Sequence, residues 1–177
     1  MAISGEKPCM VILCVNKTVC DLCFGKGEDP KMSEISENLK RIQERVENAA
    51  IKAGKDPKDI LLVGATKMND TERVREAVNA GLLACGENRV QEMLLKKSEG
   101  AYEGSQLHFI GHLQKNKDKN VVGNCDLIES ADSPELLRLI SKKAESMGII
   151  QPVLFEVNIG GEESKTGASP DMLDEMI

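Results

Sequence analysis

The sequence predicts an α/β protein built on a parallel β-sheet. Short apolar runs alternate with amphipathic segments, the clearest run carries no charge, and polar residues follow each run. Uncharged runs of about four to eight residues are typical of strands that are buried on both faces, as in parallel sheets. We find five strand-then-helix units in series after one initial helix. Repeated βαβ crossovers of this kind imply a parallel sheet.

The composition is that of a globular chain long enough for one domain. The 177 residues include 23 Lys and Arg against 29 Asp and Glu, a net charge of -6. This balance argues against a general nucleic-acid binder, which normally carries a basic excess. No apolar run approaches the roughly 20 residues of a membrane span, and no signal peptide is recognisable. We therefore expect a soluble, cytoplasmic protein with no nucleic-acid and no membrane partner.

Residues 1–31 differ in composition from the rest of the chain. They contain four of the six cysteines, namely Cys9, Cys14, Cys20 and Cys23. The Cys20-x-x-Cys23 spacing could serve zinc or an iron–sulfur cluster, but no second Cys-x-x-Cys accompanies it. We expect residues 1–31 to be a disordered extension, or upstream sequence translated from a start earlier than Met32. The folded domain is predicted at residues 32–177.

The first helix is predicted from about Ser33 to Ala53. Its apolar residues recur at helical spacing and form one face, with Ile35, Leu39, Ile42 and Val46 as members. Ser33 can cap the start of this helix, and Gly54 stands where a left-handed terminator belongs.

The first strand of the series is predicted at Ile60–Ala65, an uncharged run with polar residues on both sides. This strand delivers Lys67 to its carboxyl end. Burial disfavours the charged form of an amine, and a neutral lysine amine is the form that attacks an aldehyde. The alternative is a lysine whose long side chain simply reaches solvent.

The remaining elements alternate in the same way. Further helices are predicted at Thr71–Ala80, Arg89–Lys97, Gln114–Asn120, Pro134–Met147 and from Ser169 to the end of the chain. Further strands are predicted at Leu82–Cys85, Leu107–Gly111, Cys125–Glu129 and Pro152–Asn158. Thr71 and Ser133 are the predicted caps of their helices, and Pro134 suits the first helical turn.

Two architectures fit this series, a doubly wound open sheet and an eight-fold (β/α) TIM-type barrel. No Gly-x-Gly-x-x-Gly motif follows a strand, which weakens the dinucleotide-binding form of the open sheet. The barrel fits the spacing of the elements. We therefore expect an incomplete barrel with about five of eight βα units, in a chain truncated at its carboxyl end.

Polar side chains follow the five predicted strands, and in parallel α/β folds active sites form at these carboxyl ends. The residues are Lys67, Asn88, His112, Ser130 and Asn158. One amine, one imidazole and several neutral hydrogen-bonding groups suit a neutral aromatic aldehyde. They suit a divalent metal poorly, because carboxylates and paired histidines are absent from the set. The alternative is a set of ordinary polar strand ends without a common function.

Other reactive side chains have simpler interpretations. Cys85 and Cys125 lie in or beside strands and are interpreted as small core residues, not nucleophiles. His108 lies inside a strand and is interpreted as structural. The pair Lys96-Lys97 is interpreted as part of a solvated helix face.

Four segments of the sequence resemble the pyridoxal phosphate homeostasis protein family, single-domain relatives of the alanine racemase barrel. They are Ala65–Lys67, Gly86–Glu92, His108–Lys117 and Val157–Gly167. The resemblance covers about residues 32–177, with the segments in the same order and at the same spacing. It begins at Met32, where the composition also changes.

The resemblance implies a barrel of PLP fold type III that binds pyridoxal 5'-phosphate (PLP) as a Schiff base on Lys67. It further implies that Asn88, His112, Ser130 and Asn158 line the cofactor pocket. Members of the family are thought to bind, buffer and hand over PLP within the cell, as monomers without catalytic turnover. PLP-dependent apoenzymes would then be partners.

The chain departs from the family in two ways. The Gly-Met-Ser and Arg-Ile-Gly segments that hold the phosphate in the family do not occur, so weak binding is expected. The cysteine-containing extension has no place in the family. A PLP-dependent amino-acid racemase is the rival hypothesis, but its second acid/base group would have to be Tyr102, the one tyrosine, which lies in a polar loop.

Overall fold

Six strands, numbered β1 to β6 along the chain, form a sheet whose strand order follows the chain order. The computed structural model describes residues 9–14, 33–114, 120–162 and 166–177. The strands are Cys9–Cys14, Ile60–Ala65, Ala84–Glu87, Gln106–Phe109, Leu127–Ala131 and Val153–Phe155. The pairs β1–β2, β4–β5 and β5–β6 are parallel. The predicted α/β class with parallel strand pairing is therefore confirmed.

Five α-helices occur in the described residues, numbered α1 to α5. Their bounds are Glu34–Lys52, Thr71–Asn79, Val90–Ser98, Pro134–Met147 and Leu173–Met176. Short 3-10 helices at Pro57–Asp59 and Pro170–Met172 precede β2 and α5. The predicted helical segment Gln114–Asn120 lies almost wholly outside the described residues. None of the helices that the structure describes is long and apolar enough to cross a membrane.

β1 is an element that the sequence did not predict. It pairs in parallel with β2, with Cys9 opposite Ile60 and Cys14 opposite Ala65. Its central residues form an apolar run, which suits a position beside a buried strand. The division of the chain at Met32 stays a prediction. The Cys20-x-x-Cys23 hypothesis concerns residues outside those described.

The first of two compact units comprises residues Met1–Cys85 and Glu99–Ser105. Helix α1 begins as predicted, because the Ser33 side chain accepts a hydrogen bond from the Ser36 N–H at 3.2 Å. Helix α2 is capped one residue earlier than predicted. The Asp70 carboxylate, not Thr71, accepts from the Arg73 N–H at 2.8 Å. The core of the unit is small and apolar, with Val63, Ala65, Val74, Ala77 and Leu82 buried.

The second compact unit comprises residues Gly86–Ser98 and Gln106–Ile177. Helix α4 has the predicted bounds. The Ser133 side chain accepts from the Leu136 N–H at 3.3 Å, and Gly148 ends the helix with φ of 65°. The core of this unit contains the larger side chains Met93, Phe109, Leu113, Ile128 and Leu136.

Candidate functional site

Lys67 lies in a tight turn directly after β2, in the first unit. The end of β2 is buried, as is Thr66, whereas Lys67 is half-buried. The Asn69 N–H donates to the Thr66 carbonyl at 3.3 Å, and the Asn69 side-chain amide donates to the Lys67 carbonyl at 3.2 Å. The lysine is thus held by its backbone at the point where a buried strand reaches solvent.

The same turn contains an unusual backbone conformation. Met68 has φ of 61°, and among the described residues it is the non-glycine residue with a positive φ. This region costs L-residues roughly 1–2 kcal/mol. Such strain is characteristic of functional turns, so it supports a functional interpretation of the Thr66–Asn69 turn.

Asn88 follows β3 in the second unit and is packed against the end of β4. The Ile110 N–H donates to the Glu87 carbonyl at 2.8 Å. A Cβ on Gly111 would lie 2.6 Å from the Asn88 Cα and still closer to the Asn88 carbonyl oxygen, so only glycine fits. The Oδ1 atom of Asn88 is buried and has no hydrogen-bond partner among the described residues. Buried acceptors are usually paired, so this atom is suited to a ligand or a water molecule.

His112 is part of the turn after β4, and Ser130 contacts this turn. The Ser130 hydroxyl donates to the Gly111 carbonyl. The Nδ1 atom of His112 lies 3.2 Å from Oδ2 of Asp132, and the His112 side chain is 49% exposed. Ser130 lies within β5, whereas the sequence placed it just past that strand. The strand begins two residues later than predicted, and Asp126, just before it, is hydrogen-bonded to Leu107 through both its backbone N–H and its carboxylate.

The Asn158 side chain forms hydrogen bonds within the loop that follows β6. Its side-chain amide donates to the Glu162 carbonyl at 2.9 Å, and its Oδ1 accepts from the Glu162 N–H at 3.3 Å. The Asn158 N–H donates to the Ala168 carbonyl at 2.8 Å. The described contacts of this side chain thus serve the loop. Its predicted contact with a cofactor stays a prediction.

Three of the five predicted residues lie close to one another around Gly111. Asn88, His112 and Ser130 lie at or near the ends of successive strands of the second unit and are connected through Gly111. Lys67 belongs to the first unit. That these residues serve one ligand stays a prediction.

A buried ion pair beside Asn88 was missed. Lys96, interpreted from sequence as solvated, is 3% exposed, and that interpretation is wrong. Its ammonium lies 2.8 Å from Oε1 of Glu87, which is fully buried, and 2.7 Å from Oε1 of Glu92. The Glu92–Lys96 spacing of four on a helix was a usable signal. Because removing one partner of a buried pair costs roughly 3–5 kcal/mol, this cluster anchors α3 to the end of β3.

His108, Cys85 and Cys125 have structural surroundings. His108 is buried, with Nδ1 2.7 Å from Oε1 of Glu129 and Nε2 3.1 Å from Oε1 of Gln106. Cys85 is fully buried, and burial raises the pKa of the Cys125 thiol to about 12. Both thiols are therefore poor nucleophiles at neutral pH, in agreement with the sequence interpretation.

Comparison with known proteins identifies several relatives that share the same name. A pyridoxal phosphate homeostasis protein of Aquifex aeolicus is 44% identical over 141 residues, which are 80% of this chain and 62% of the relative. The protein of that name from Pseudomonas aeruginosa is 35% identical over 142 residues, with the same coverage of 80% and 62%. This chain therefore spans about three fifths of the length of these relatives. No family model matches it.

Comparison with solved structures also finds similar proteins. PipY of Synechococcus elongatus, without PLP, superposes with a TM-score of 0.69 at 28% identity over 79% of this chain and 61% of PipY. The PLP-bound form of PipY has a TM-score of 0.61 at 29% identity, over 79% of this chain and 60% of PipY.

Alanine racemase from Clostridium difficile has a TM-score of 0.61 at 16% identity, over 79% of this chain and 36% of the racemase. At this identity the likeness concerns the fold alone. The chain therefore has a parallel α/β fold whose neighbours include the alanine racemase type of barrel.

Proposed function

Because this chain is homologous to the pyridoxal phosphate homeostasis proteins over 80% of its length, we propose that it binds PLP and serves vitamin B6 homeostasis in the cell. In this proposal PLP is held covalently by Lys67. The aldehyde carbon of PLP and the Lys67 amine would form a C=N bond with the loss of one water molecule. PLP itself supplies the electrophilic aldehyde.

The position of Lys67 is the observation that carries the proposal. A half-buried lysine stands directly past a strand whose end is buried, in a turn strained at Met68. A lysine amine is the group that forms a Schiff base with an aldehyde, and hydrogen bonds of Asn69 fix the backbone of Lys67 where the buried strand ends.

The second unit contains groups that can hydrogen-bond to an aromatic ligand. Asn88 has a buried acceptor without a described partner, and His112 presents an exposed ring. PLP carries a hydroxyl group and a ring nitrogen, which can hydrogen-bond to such groups. The Ser130 hydroxyl and the Asn158 amide are already used within the protein. We therefore assign to Ser130 and Asn158 the role of shaping the pocket and not of binding PLP directly.

We further propose a carrier role without catalytic turnover, in which PLP passes from a monomeric protein to PLP-dependent apoenzymes. The names of the relatives support a homeostatic role. The rival hypothesis of a racemase requires an acid/base group on each face of its substrate. Tyr102, its second candidate group, is buried in the first unit. Racemisation of alanine above background by the purified chain would instead support the rival.

The covalent proposal is tested by mixing the chain with PLP, recording absorbance, reducing with borohydride and mapping the modified peptide by mass. We expect the pyridoxyl mass on Lys67 and its loss in Lys67→Ala. Lys58→Ala is the matched control, because Lys58 is an exposed lysine before the opposite end of β2. It should retain the adduct.

The Aquifex aeolicus relative serves as the positive control for the chemistry. Label spread over surface lysines, or an equal yield from Lys67→Ala, would contradict the assignment of Lys67. An adduct on the relative but none on this chain would contradict PLP binding by this chain.

A further inference from the structure

Two side chains from the end of β5 hold two consecutive residues of the turn after β4. Ser130 and Asp132 are two positions apart, and residues at this spacing along an extended strand face the same side. The Ser130 hydroxyl donates to the Gly111 carbonyl. The Asp132 carboxylate lies 3.2 Å from Nδ1 of His112. The backbone and the ring of this turn are therefore each held from β5.

The contact with Asp132 bears on which nitrogen of His112 carries hydrogen. A carboxylate oxygen 3.2 Å from Nδ1 favours the tautomer with hydrogen on Nδ1, because an ionised carboxylate has no hydrogen to donate. In the neutral ring the lone pair is then on Nε2, which becomes an acceptor. This arrangement parallels sites in which a carboxylate fixes the tautomer and orientation of a functional imidazole.

A second acceptor lies beside this turn. The Oδ1 atom of Asn88 is buried without a described partner, and Asn88 packs on Gly111, the residue before His112. The segments after β3 and β4 thus contain two acceptors of hydrogen bonds, Oδ1 of Asn88 and, in this tautomer, Nε2 of His112. Either atom would pair with a group that donates, such as a hydroxyl or an N–H.

We infer that Asp132 is a positioning residue, which holds His112 so that Nε2 accepts a hydrogen bond from an O–H or N–H group of the ligand. The identity of that ligand as PLP rests on the proposed function above. The contact between Asp132 and His112 does not, because it exists in the protein alone.

The first test reads the tautomer of His112 in the protein without PLP. Long-range ¹H–¹⁵N NMR distinguishes Nδ1–H from Nε2–H, at a pH about two units above the usual histidine pKa near 6.5. The chain has only two histidines, so the signal lost in His112→Gln is that of His112. We expect the Nδ1–H form in the wild type.

In Asp132→Asn the ratio of the two tautomers should shift by about tenfold or more, since the negative charge 3.2 Å from Nδ1 is lost. Asp171→Asn, which removes the same charge from an exposed position in the second unit, is the control and should leave the ratio unchanged. Asp132→Glu should restore the wild-type tautomer and guards against a variant that fails to fold. An unchanged ratio in Asp132→Asn would overturn the inference.

The second test measures the apparent affinity for PLP by absorbance. Asp132→Asn should bind about tenfold more weakly than the wild type, and Asp171→Asn should bind equally. A shifted tautomer with unchanged affinity would overturn the role of Nε2 toward the ligand. Failure of the wild type to bind PLP would overturn the proposed function, while the NMR result would still decide whether Asp132 positions His112.

Discussion

At the scale of single residues, Lys67 and Lys96 show what local sequence can and cannot reveal. Lys67 was found because a continuous apolar run leads directly to it, and this pattern is local. The burial of Lys96 depends on Glu87, nine positions earlier and in a different element. Sequence suggested a solvated helix face for Lys96, because the pairing strand could not be located from spacing alone.

The tight packing of Gly111 against Asn88 predicts that a larger residue at this position destabilises the fold. Gly111→Ala places a Cβ 2.6 Å from the Asn88 Cα, and neither backbone can yield without moving a strand end. Overpacking of this kind costs about 1–3 kcal/mol. We expect the urea unfolding midpoint to fall accordingly, together with the affinity for PLP.

Gly160→Ala is the matched control for this substitution. Among the described residues, a Cβ at Gly160 meets only the flexible side chain of Glu162, at 3.6 Å. Its stability should therefore stay within about 0.5 kcal/mol of the wild type. Equal effects of the two substitutions would show that the contact between Gly111 and Asn88 is not as tight as described.

The raised pKa of the Cys125 thiol predicts that the stability of the fold depends on pH. Burial raises the pKa of this thiol from 9.0 to about 12, so the folded state holds the proton more tightly than the unfolded state. This contribution is fully present below pH 9 and is lost as pH rises from 9 towards 12. Between pH 8 and pH 10 it should fall by about 1.4 kcal/mol.

The measurement compares urea unfolding of the wild type and Cys125→Ala at those two pH values. The variant should lose about 1.4 kcal/mol less than the wild type over the interval, whatever its stability at pH 8. Parallel losses in the two proteins would mean that Cys125 titrates normally in the folded state.

At the scale of elements, capped helices were predictable and strand bounds were less so. Helices α1 and α4 have nearly the predicted bounds, because caps and terminators act within a few residues. Strands β3 and β5 each begin two residues later than predicted. A strand begins where its neighbour offers hydrogen bonds, and apolar spacing does not contain that information.

Two helical segments begin with Ser-Pro, and comparing their serines tests the contribution of a side-chain cap to stability. The Ser133 side chain caps α4, whereas Ser169 makes no side-chain cap hydrogen bond at its 3-10 helix. Ser133→Ala should therefore lower the free energy of unfolding by about 1 kcal/mol, and Ser169→Ala should leave it nearly unchanged. Thermal or urea unfolding of both variants checks this. Equal losses would contradict the assigned cap.

At the scale of the whole molecule, the serial βα pattern predicted the fold class. An open sheet and a barrel consist of the same local units, and the spacing of the elements together with the missing Gly-x-Gly-x-x-Gly motif favoured the barrel. The likeness to solved structures in the alanine racemase class supports the barrel type. The predicted number of missing βα units stays a prediction.

The sequence by itself determined the α/β class, the start and end of α1 and α4, and the place of Lys67 after β2, because these follow from patterns within a few residues. Only the tertiary structure showed that β1 pairs with β2, that Lys96 is buried, and that Ser130 and Asp132 hold the turn at Gly111 and His112. Ser130 and Gly111 are 19 positions apart. Which residues meet over such a separation depends on strand pairing and register, and these are properties of the folded sheet.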